Sequence, residues 1–283
     1  MIARALGLLA AITLLAGCAP AAEDWPAPTP ALWRVTAPSG QAGWLFGTIH
    51  ALPDGAEWRT PALDAAAEQS GVLIVEIADP GAGGAELFEQ LAHTPGQAPL
   101  SSRIPPDQRD ELAAVLARNG QTEGDFTTVE TWAAALMLDS GAGGDPANGA
   151  DLALVRGAKN VRALETRAGQ LRMFDRLPQQ DQAALLASAL AEAAAPDPQA
   201  GIRAWLAGDM ETLDRLANAG LLANASLRQT LLTARNAAWL GPITAAIDRG
   251  ERPLVAVGAV HMAGADGLPA LLAARGYKVT RVQ

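Results

Sequence analysis

Apolar residues occur along this chain both in short compact runs and in longer stretches with a helical repeat. The short runs contain β-branched or aromatic residues and are bounded by glycine, proline or polar residues, which is typical of strands. Six runs predict strands: Leu32–Val35, Gly43–His50, Gly71–Ile77, Val161–Glu165, Pro253–His261 and Tyr277–Val282. The third and the fifth are apolar almost throughout, as in strands buried on both faces of a sheet.

Helical periodicity fills most of the remaining chain. The first predicted helix, Pro61–Gln69, has proline in its first turn and Thr60 as its N-cap. The other predicted helices are Pro106–Asn119, Thr128–Leu138, Gly149–Ala158, most of 178–249, and Gly267–Arg275. Strands at both ends of the chain and helices between them predict an α/β fold. We expect one mixed sheet built from both chain ends, with a largely helical lobe over about residues 100–250.

The first residues predict an export signal rather than a part of the fold. Met1–Arg4 is short and positively charged, and Ala5–Ala16 is an apolar run too short to span a bilayer. The run ends in Leu-Ala-Gly-Cys, which resembles a bacterial lipobox with Cys18 as the lipidated residue. An ordinary signal peptide that happens to contain a cysteine is the alternative.

These features divide the chain into a lipoprotein signal peptide at 1–18, a flexible linker at 19–31 and a folded domain at 32–283. The linker is rich in proline and alanine, which favours an extended tether. Acyl chains on Cys18 would anchor the protein in a membrane. Ala19 resembles the residue that follows the cysteine in Gram-negative outer-membrane lipoproteins. We therefore expect a cell-envelope protein whose domain faces the periplasm.

Composition excludes several classes of protein. The chain has 283 residues, of which 49% are hydrophobic and 18% are charged, so its body is not disordered. With 21 Lys and Arg against 30 Asp and Glu, the formal net charge is −9, which argues against binding to nucleic acid. A single cysteine excludes a disulfide framework and a cysteine-rich zinc module.

Two of the three histidines share a pattern. His50 ends Gly-Thr-Ile-His and His261 ends Gly-Ala-Val-His, and each pattern closes a predicted strand. With 28 glycines in the chain, two such matches by chance have a probability of about 3%. Ligands of α/β sheets bind beyond the carboxyl ends of strands, so the two rings could meet there. Histidines that only cap strands are the alternative, and His93 is predicted to be a surface or structural residue.

Glu76 is a carboxylate inside an otherwise apolar strand, where it is costly unless it is paired or binds a cation. Alternation predicts Ile74 and Glu76 on the same face of the strand. Two histidines and one carboxylate are a donor set for a divalent transition metal, which can lower the pKa of a bound water. The alternative is an ion pair between Glu76 and a buried arginine, for which Arg235 is a candidate.

Three further polar residues are candidates for the same site. Glu165 follows a predicted strand and could be a metal ligand, a general base or a charge at a helix N-terminus. Arg235 and Asn236 lie on a largely apolar helix, where arginine could hold a carboxylate or an oxyanion and asparagine could donate to a carbonyl. An arginine that ties the helix to the sheet is the alternative.

The ordered combination of these motifs resembles the TraB/GumN family, which includes the TIKI metalloproteases and the TraB pheromone-shutdown proteins. The resemblance covers roughly residues 31–283 and depends on five segments: Gly47–Pro53, Val75–Ile77, Leu164–Thr166, Arg235–Trp239 and Val257–Gly264. It implies an α/β core similar to that of EreA- and ChaN-like proteins. Met262 stands where leucine is usual in the family.

In the TIKI branch, the two histidines and the strand glutamate are the implicated catalytic or metal residues. Carried over, they are His50, His261 and Glu76, with Glu165, Arg235 and Asn236 in support. We therefore expect an envelope-anchored, metal-dependent hydrolase that uses Mn, Co or Zn and acts on a peptide or protein. The alternative is a non-catalytic envelope lipoprotein that binds a peptide, haem or a polysaccharide component.

Overall fold

A computed structural model describes residues 25–78, 84–139 and 144–283 of the chain. The predicted signal peptide, Cys18 and the first part of the predicted linker lie outside these ranges. Within them, every helix is too short or too polar to cross a membrane.

The described residues form one six-stranded mixed sheet, with strand order β4-β3-β5-β2-β1-β6. Its strands are β1 Leu32–Thr36, β2 Ala42–Thr48, β3 Val72–Val75, β4 Val161–Ala163, β5 Pro253–Gly258 and β6 Lys278–Arg281. Strand β1 is antiparallel to both of its neighbours, whereas β4, β3, β5 and β2 run parallel side by side. The predicted α/β fold with a mixed sheet built from both chain ends is confirmed.

Twelve α-helices are described besides short 3₁₀ and π turns. They are α1 Pro61–Gln69, α2 Gly84–Ala92, α3 Arg109–Arg118, α4 Thr131–Asp139, α5 Ala150–Gly157, α6 Arg167–Asp175, α7 Gln179–Ala193, α8 Ala200–Leu206, α9 Met210–Ala219, α10 Ala225–Arg228, α11 Ala234–Asp248 and α12 Leu268–Ala274. The hydroxyl of Thr60 accepts from the Leu63 amide at 3.2 Å, so it caps α1 as predicted. Helices α2 and α6 were not predicted.

Helices cover both faces of the sheet. Helices α1, α5 and α8 pack on one face against residues such as Leu73 and Val75. Helices α11 and α12 pack on the other face, against Ile74 and Val255. The alternation predicted along β3 is therefore present, and it explains why this strand and β5 are apolar almost throughout.

A second group of helices forms a lobe with its own hydrophobic core. Residues of α3, α4, α6 and α7 surround the fully buried Trp132. Its ring meets Phe88 edge-on at 5.6 Å and stacks on Phe174 at 6.3 Å. The helical middle of the chain thus divides between this lobe and the sheet, because α5, α8 and α11 belong to the sheet cores.

The segment before β1 packs against the domain. The Thr29 amide donates to the Leu206 carbonyl at 2.7 Å, and Arg203 lies over the ring of the half-buried Trp25. The C-terminal Gln283 side chain donates to the Pro30 carbonyl at 2.8 Å. The last residues of the predicted linker therefore have a defined place beside α8 and the chain end.

Candidate active site at the carboxyl edge of the sheet

The four parallel strands end at one edge of the sheet, and each is followed within three residues by a predicted site residue. His50 lies two residues after β2, Glu76 one residue after β3 and Glu165 two residues after β4. His261 lies in a 3₁₀ turn, Ala259–Met262, directly after β5. The strands are shorter than predicted, so both histidines lie just beyond a strand and not within it.

Gly258 marks the point where these side chains meet. A Cβ atom on this residue would lie 3.3 Å from Glu76 Oε1, 3.7 Å from His261 Cδ2 and 3.8 Å from His50 Nε2. The absence of a side chain at Gly258 therefore leaves a small space that both imidazoles and one carboxylate border. The three residues are brought together across more than 200 positions of sequence.

Both carboxylate oxygens of Glu76 are hydrogen bonded. Oε1 accepts from the Gly258 amide at 2.8 Å, and Oε2 accepts from Arg235 at 2.6 Å and from Gln170 at 3.2 Å. Burial acts to raise the pKa of Glu76, but the nearby His261, Arg235 and His50 outweigh it and lower that pKa to about 2. Glu76 is therefore ionised at neutral pH.

Arg235 is bonded at all five of its N–H groups. Nε and Nη2 donate to the two oxygens of Glu165 at 2.9 and 3.0 Å, and Nη2 also donates to Glu76. Nη1 donates to the Leu231 carbonyl at 3.2 Å and to His261 Nε2 at 3.1 Å. The predicted alternative pairing of Glu76 with Arg235 is present. The guanidinium has no donor left for a substrate carboxylate or an oxyanion as the side chains stand.

Local backbone geometry places Arg235 and Asn236. A π-helical turn, Gln229–Thr233, directly precedes α11, and turns of this kind are frequent at functional sites. Asn236 is fully buried, and its amide donates to the carbonyls of His261 at 3.2 Å and Asp266 at 2.8 Å. Its donors are thus used within the protein, which differs from the predicted donation to a substrate carbonyl.

The contact with Asn236 fixes the protonation of His261. The amide nitrogen of Asn236 donates to two carbonyls, so its oxygen is the acceptor for His261 Nδ1 at 2.7 Å. Nε2 of His261 then carries the lone pair and accepts from Arg235. Burial lowers the pKa of His261 to about 4, so the ring is neutral at pH 7. Trp239 packs against it with 4.5 Å between the ring centroids, and Arg235 is one of the groups that lower the pKa of Glu76.

His50 is held from the opposite side by Asp151, a residue that the sequence did not predict. Nδ1 of His50 lies 3.0 Å from Asp151 Oδ2 in the first turn of α5, and this hydrogen bond raises the pKa of His50. Gly149 permits the approach, since a Cβ there would lie 2.4 Å from the His50 carbonyl oxygen. Because Nδ1 donates to a carboxylate, Nε2 is left unprotonated in the neutral ring. The His50 side chain is 67% exposed.

The site opens into a cleft of about 570 Å³ between the sheet edge, α5 and the lobe helices α4 and α6. His50, Glu76, Asp151 and Arg235 line it together with Thr48, the last residue of β2. Thr48 is 2% exposed, and its hydroxyl has no hydrogen-bond partner among the described residues. A buried hydroxyl of this kind has bonding capacity left for a water or a ligand. His93 lies in the lobe instead, bonded to Thr128 at 3.1 Å.

The donor atoms of these side chains show how far the site suits the divalent metal that the sequence predicts. In both histidines Nδ1 is bonded to an oxygen of a neighbouring side chain, as in metal-ligating histidines. His50 Nε2 has no bonded partner among the described residues, and Glu76 Oε1 accepts only from Gly258. His261 Nε2 is engaged by Arg235, and no three His, Cys, Asp or Glu side chains of the described residues stand close enough to hold an ion. Two donor atoms, His50 Nε2 and Glu76 Oε1, are therefore open to a ligand, whereas His261 Nε2 is occupied by Arg235.

These features define a class of α/β protein with a histidine and glutamate cluster at the carboxyl edge of a mixed sheet. The sequence model of the TraB/PrgY/gumN family matches residues 31–281, which is most of the chain, and the chain belongs to that family. The family predicted from the motifs is thereby confirmed. Comparison with curated proteins and with solved structures gave no match.

Proposed function

We propose that this chain is an envelope-anchored hydrolase that cleaves peptide bonds in the cleft at the carboxyl edge of its sheet. One observation carries the proposal: Nε2 of His50, whose Nδ1 is bonded to Asp151, borders the same small space as Glu76 and His261. That space opens to solvent through a cleft large enough for a peptide segment. The metal dependence expected from the sequence is a second form of the proposal, in which Nε2 of His50 binds the ion and is not available as a base.

His50 is the group best placed to act as general base. Its ring is solvent-accessible, and Asp151 holds the tautomer in which Nε2 can accept a proton. As a water oxygen adds to the substrate carbonyl carbon, its proton moves to Nε2. The same proton then passes to the leaving nitrogen when the C–N bond breaks. The carboxylate of Asp151 stabilises the imidazolium that forms between the two steps.

Glu76, Arg235 and Glu165 act in this proposal as a fixed arrangement of charges. Burial acts to lower the pKa of Arg235, but its bonds and charge interactions with Glu165 and Glu76 outweigh burial and raise that pKa. The guanidinium thus stays charged and keeps Glu76 ionised next to His261. Such preorganised charges cost no rearrangement during a reaction. A divalent ion, when bound, would polarise the carbonyl group and lower the pKa of the attacking water.

The proposal is tested with the full chain and a mixture of peptides from a digested proteome, with cleavage followed by mass spectrometry. Wild type and His50→Ala are compared, and His93→Ala is the matched control because His93 lies in the lobe away from the cleft. We expect His50→Ala to lower kcat/KM by about 10²-fold or more, as for the loss of a general base. Equal cleavage by His50→Ala and wild type would refute the role of His50.

The metal requirement is tested in the same assay by chelation and by adding Mn, Co or Zn separately. Activity that is lost on chelation and recovered with one of these ions supports a resident metal. Activity that chelators leave unchanged refutes the metal part and leaves His50 and Asp151 as the base. A ligand that binds equally well after loss of His50 and His261, together with no cleavage of any peptide, would favour the non-catalytic alternative.

A further inference from the structure

We infer that the cleft selects peptides with a bulky apolar residue, such as leucine or phenylalanine, beside the bond that is cleaved. This inference rests on the proposed function and adds the class of substrate. It depends on how polar and apolar side chains are distributed over the cleft walls, which the catalytic groups do not determine.

Most polar groups of the cleft gather around the sheet edge. They are His50, Glu76 and Arg235, with Asp151 from the first turn of α5 and Gln170 from α6, whose amide donates to Glu76; Arg167 of α6 also lines the cleft. The opposite wall is contributed by α4, α5 and α6, and it carries five half-buried apolar side chains: Leu136, Leu152, Val155, Met173 and Phe174. Partly exposed apolar side chains gathered in one concave wall are typical of a binding site for an apolar group.

The two walls face different parts of a peptide. The carbonyl carbon of the bond to be cleaved has to reach His50 Nε2, at the polar wall. The adjoining side chain then lies towards the helices, because the cleft is bounded by α4, α5 and α6 on that side. A charged side chain placed against the five apolar groups would lose its hydration, whereas leucine or phenylalanine would gain from burial.

Leu152 is the position at which this wall can be changed with least effect on folding. Val155 packs against a sheet core, and Leu136, Met173 and Phe174 pack against the lobe core. Leu152 is half-buried and belongs to none of the three hydrophobic cores of the described residues. Leu152→Asp therefore makes the wall more polar and Leu152→Met keeps it apolar, and neither variant removes a residue from a hydrophobic core.

The experiment compares peptides that differ only in having Ala, Leu, Phe, Lys or Glu beside the cleaved bond. We expect kcat/KM for Leu or Phe to exceed that for Ala by about 10-fold or more, the usual discrimination of an apolar pocket. Leu152→Asp should reduce that ratio to about 3-fold or less. Leu152→Met should keep the preference, since the swap conserves volume.

A second measurement separates this inference from the proposed function. N-acetyl-phenylalanine amide is titrated by calorimetry into His50→Ala protein, with and without Leu152→Asp. Cleavage without an apolar preference overturns the inference and leaves the hydrolase proposal intact. If no peptide is cleaved, binding of the amide that is lost in Leu152→Asp still supports an apolar-selective cleft. The inference of an apolar-selective cleft is overturned if the amide does not bind. It is also overturned if Leu152→Asp leaves the binding unchanged.

Discussion

Replacing Arg235 by methionine is the most direct test of the electrostatic reasoning, because it needs no knowledge of the substrate. The Arg235 side chain is 13% exposed, and it neutralises Glu76 and Glu165, which are 12% and 20% exposed. Methionine has a similar length and no charge, so the two carboxylates are left without a counterion. Breaking a buried ion pair from one side costs about 3–5 kcal/mol of unfolding free energy.

Proton linkage gives a contribution of similar size from Glu76. Lowering its pKa from 4.5 to about 2 corresponds to about 3 kcal/mol of stability at neutral pH. Because the pKa is lowered in the folded state, this contribution is complete above pH 4.5 and is lost as the pH falls towards 2. Arg235→Met removes much of it, so the variant should lose less stability on acidification than wild type.

The measurement is urea unfolding followed by circular dichroism at pH 7 and pH 3, with thermal melting beside it. A loss of about 4 kcal/mol lowers the melting temperature by roughly 8–16 °C in a domain of this size. Arg162→Met is the matched control, because Arg162 pairs with Glu251 at 2.7 Å while being 41% exposed. That change should cost less than about 1 kcal/mol. Equal effects of the two variants would refute the reasoning.

Three further predictions concern single groups. Asp151→Asn removes the charge that holds His50 and should lower kcat/KM about 10- to 100-fold. Its unfolding free energy should fall by no more than about 1 kcal/mol. Steady-state kinetics and urea unfolding check both results, with Asp248→Asn as the control. Thr48→Val should leave stability unchanged or raise it by about 1 kcal/mol in urea unfolding, since the buried hydroxyl has no partner among the described residues. Tyr277 is the single tyrosine, and burial together with its bond to Asp248 raises its pKa to about 12, so ultraviolet absorbance should show one phenolate transition there that Asp248→Asn moves towards 10. The argument about Asp151 fails if Asp248→Asn loses more activity than Asp151→Asn. The argument about Thr48 fails if Thr48→Val is destabilised. A phenolate transition near pH 10 in wild type would contradict the raised pKa of Tyr277.

Much of the fold could be predicted because each strand of the sheet corresponds to a short apolar run of the sequence. All six predicted strands are present, and the apolar character of β3 and β5 indicated burial on both faces before any contact was known. Helix α6 was missed because its nine residues, RAGQLRMFD, include only four apolar ones, interrupted by glycine, glutamine and charged side chains. It forms because Thr166 caps it, accepting from the Gly169 amide at 3.0 Å, and because Leu171 packs into the lobe core.

The meeting of the site residues was predictable in principle, since parallel strands place their carboxyl ends at one edge. The strand order that makes His50, Glu76 and His261 neighbours was not, because it depends on packing of helices far apart in sequence. Asp151 gave no signal, since its partner is 101 positions away and no motif links them. Asn236 was predicted to donate to a substrate, but its neighbours are backbone carbonyls that only the folded chain brings near.

The packed segment before β1 limits how far the domain can stand from a bilayer if Cys18 carries lipid. Trp25 is already seated beside Arg203, and seven residue steps separate it from Cys18. Fully stretched, those steps span at most about 25 Å. The face that carries α8 would then lie within about 25 Å of the bilayer surface.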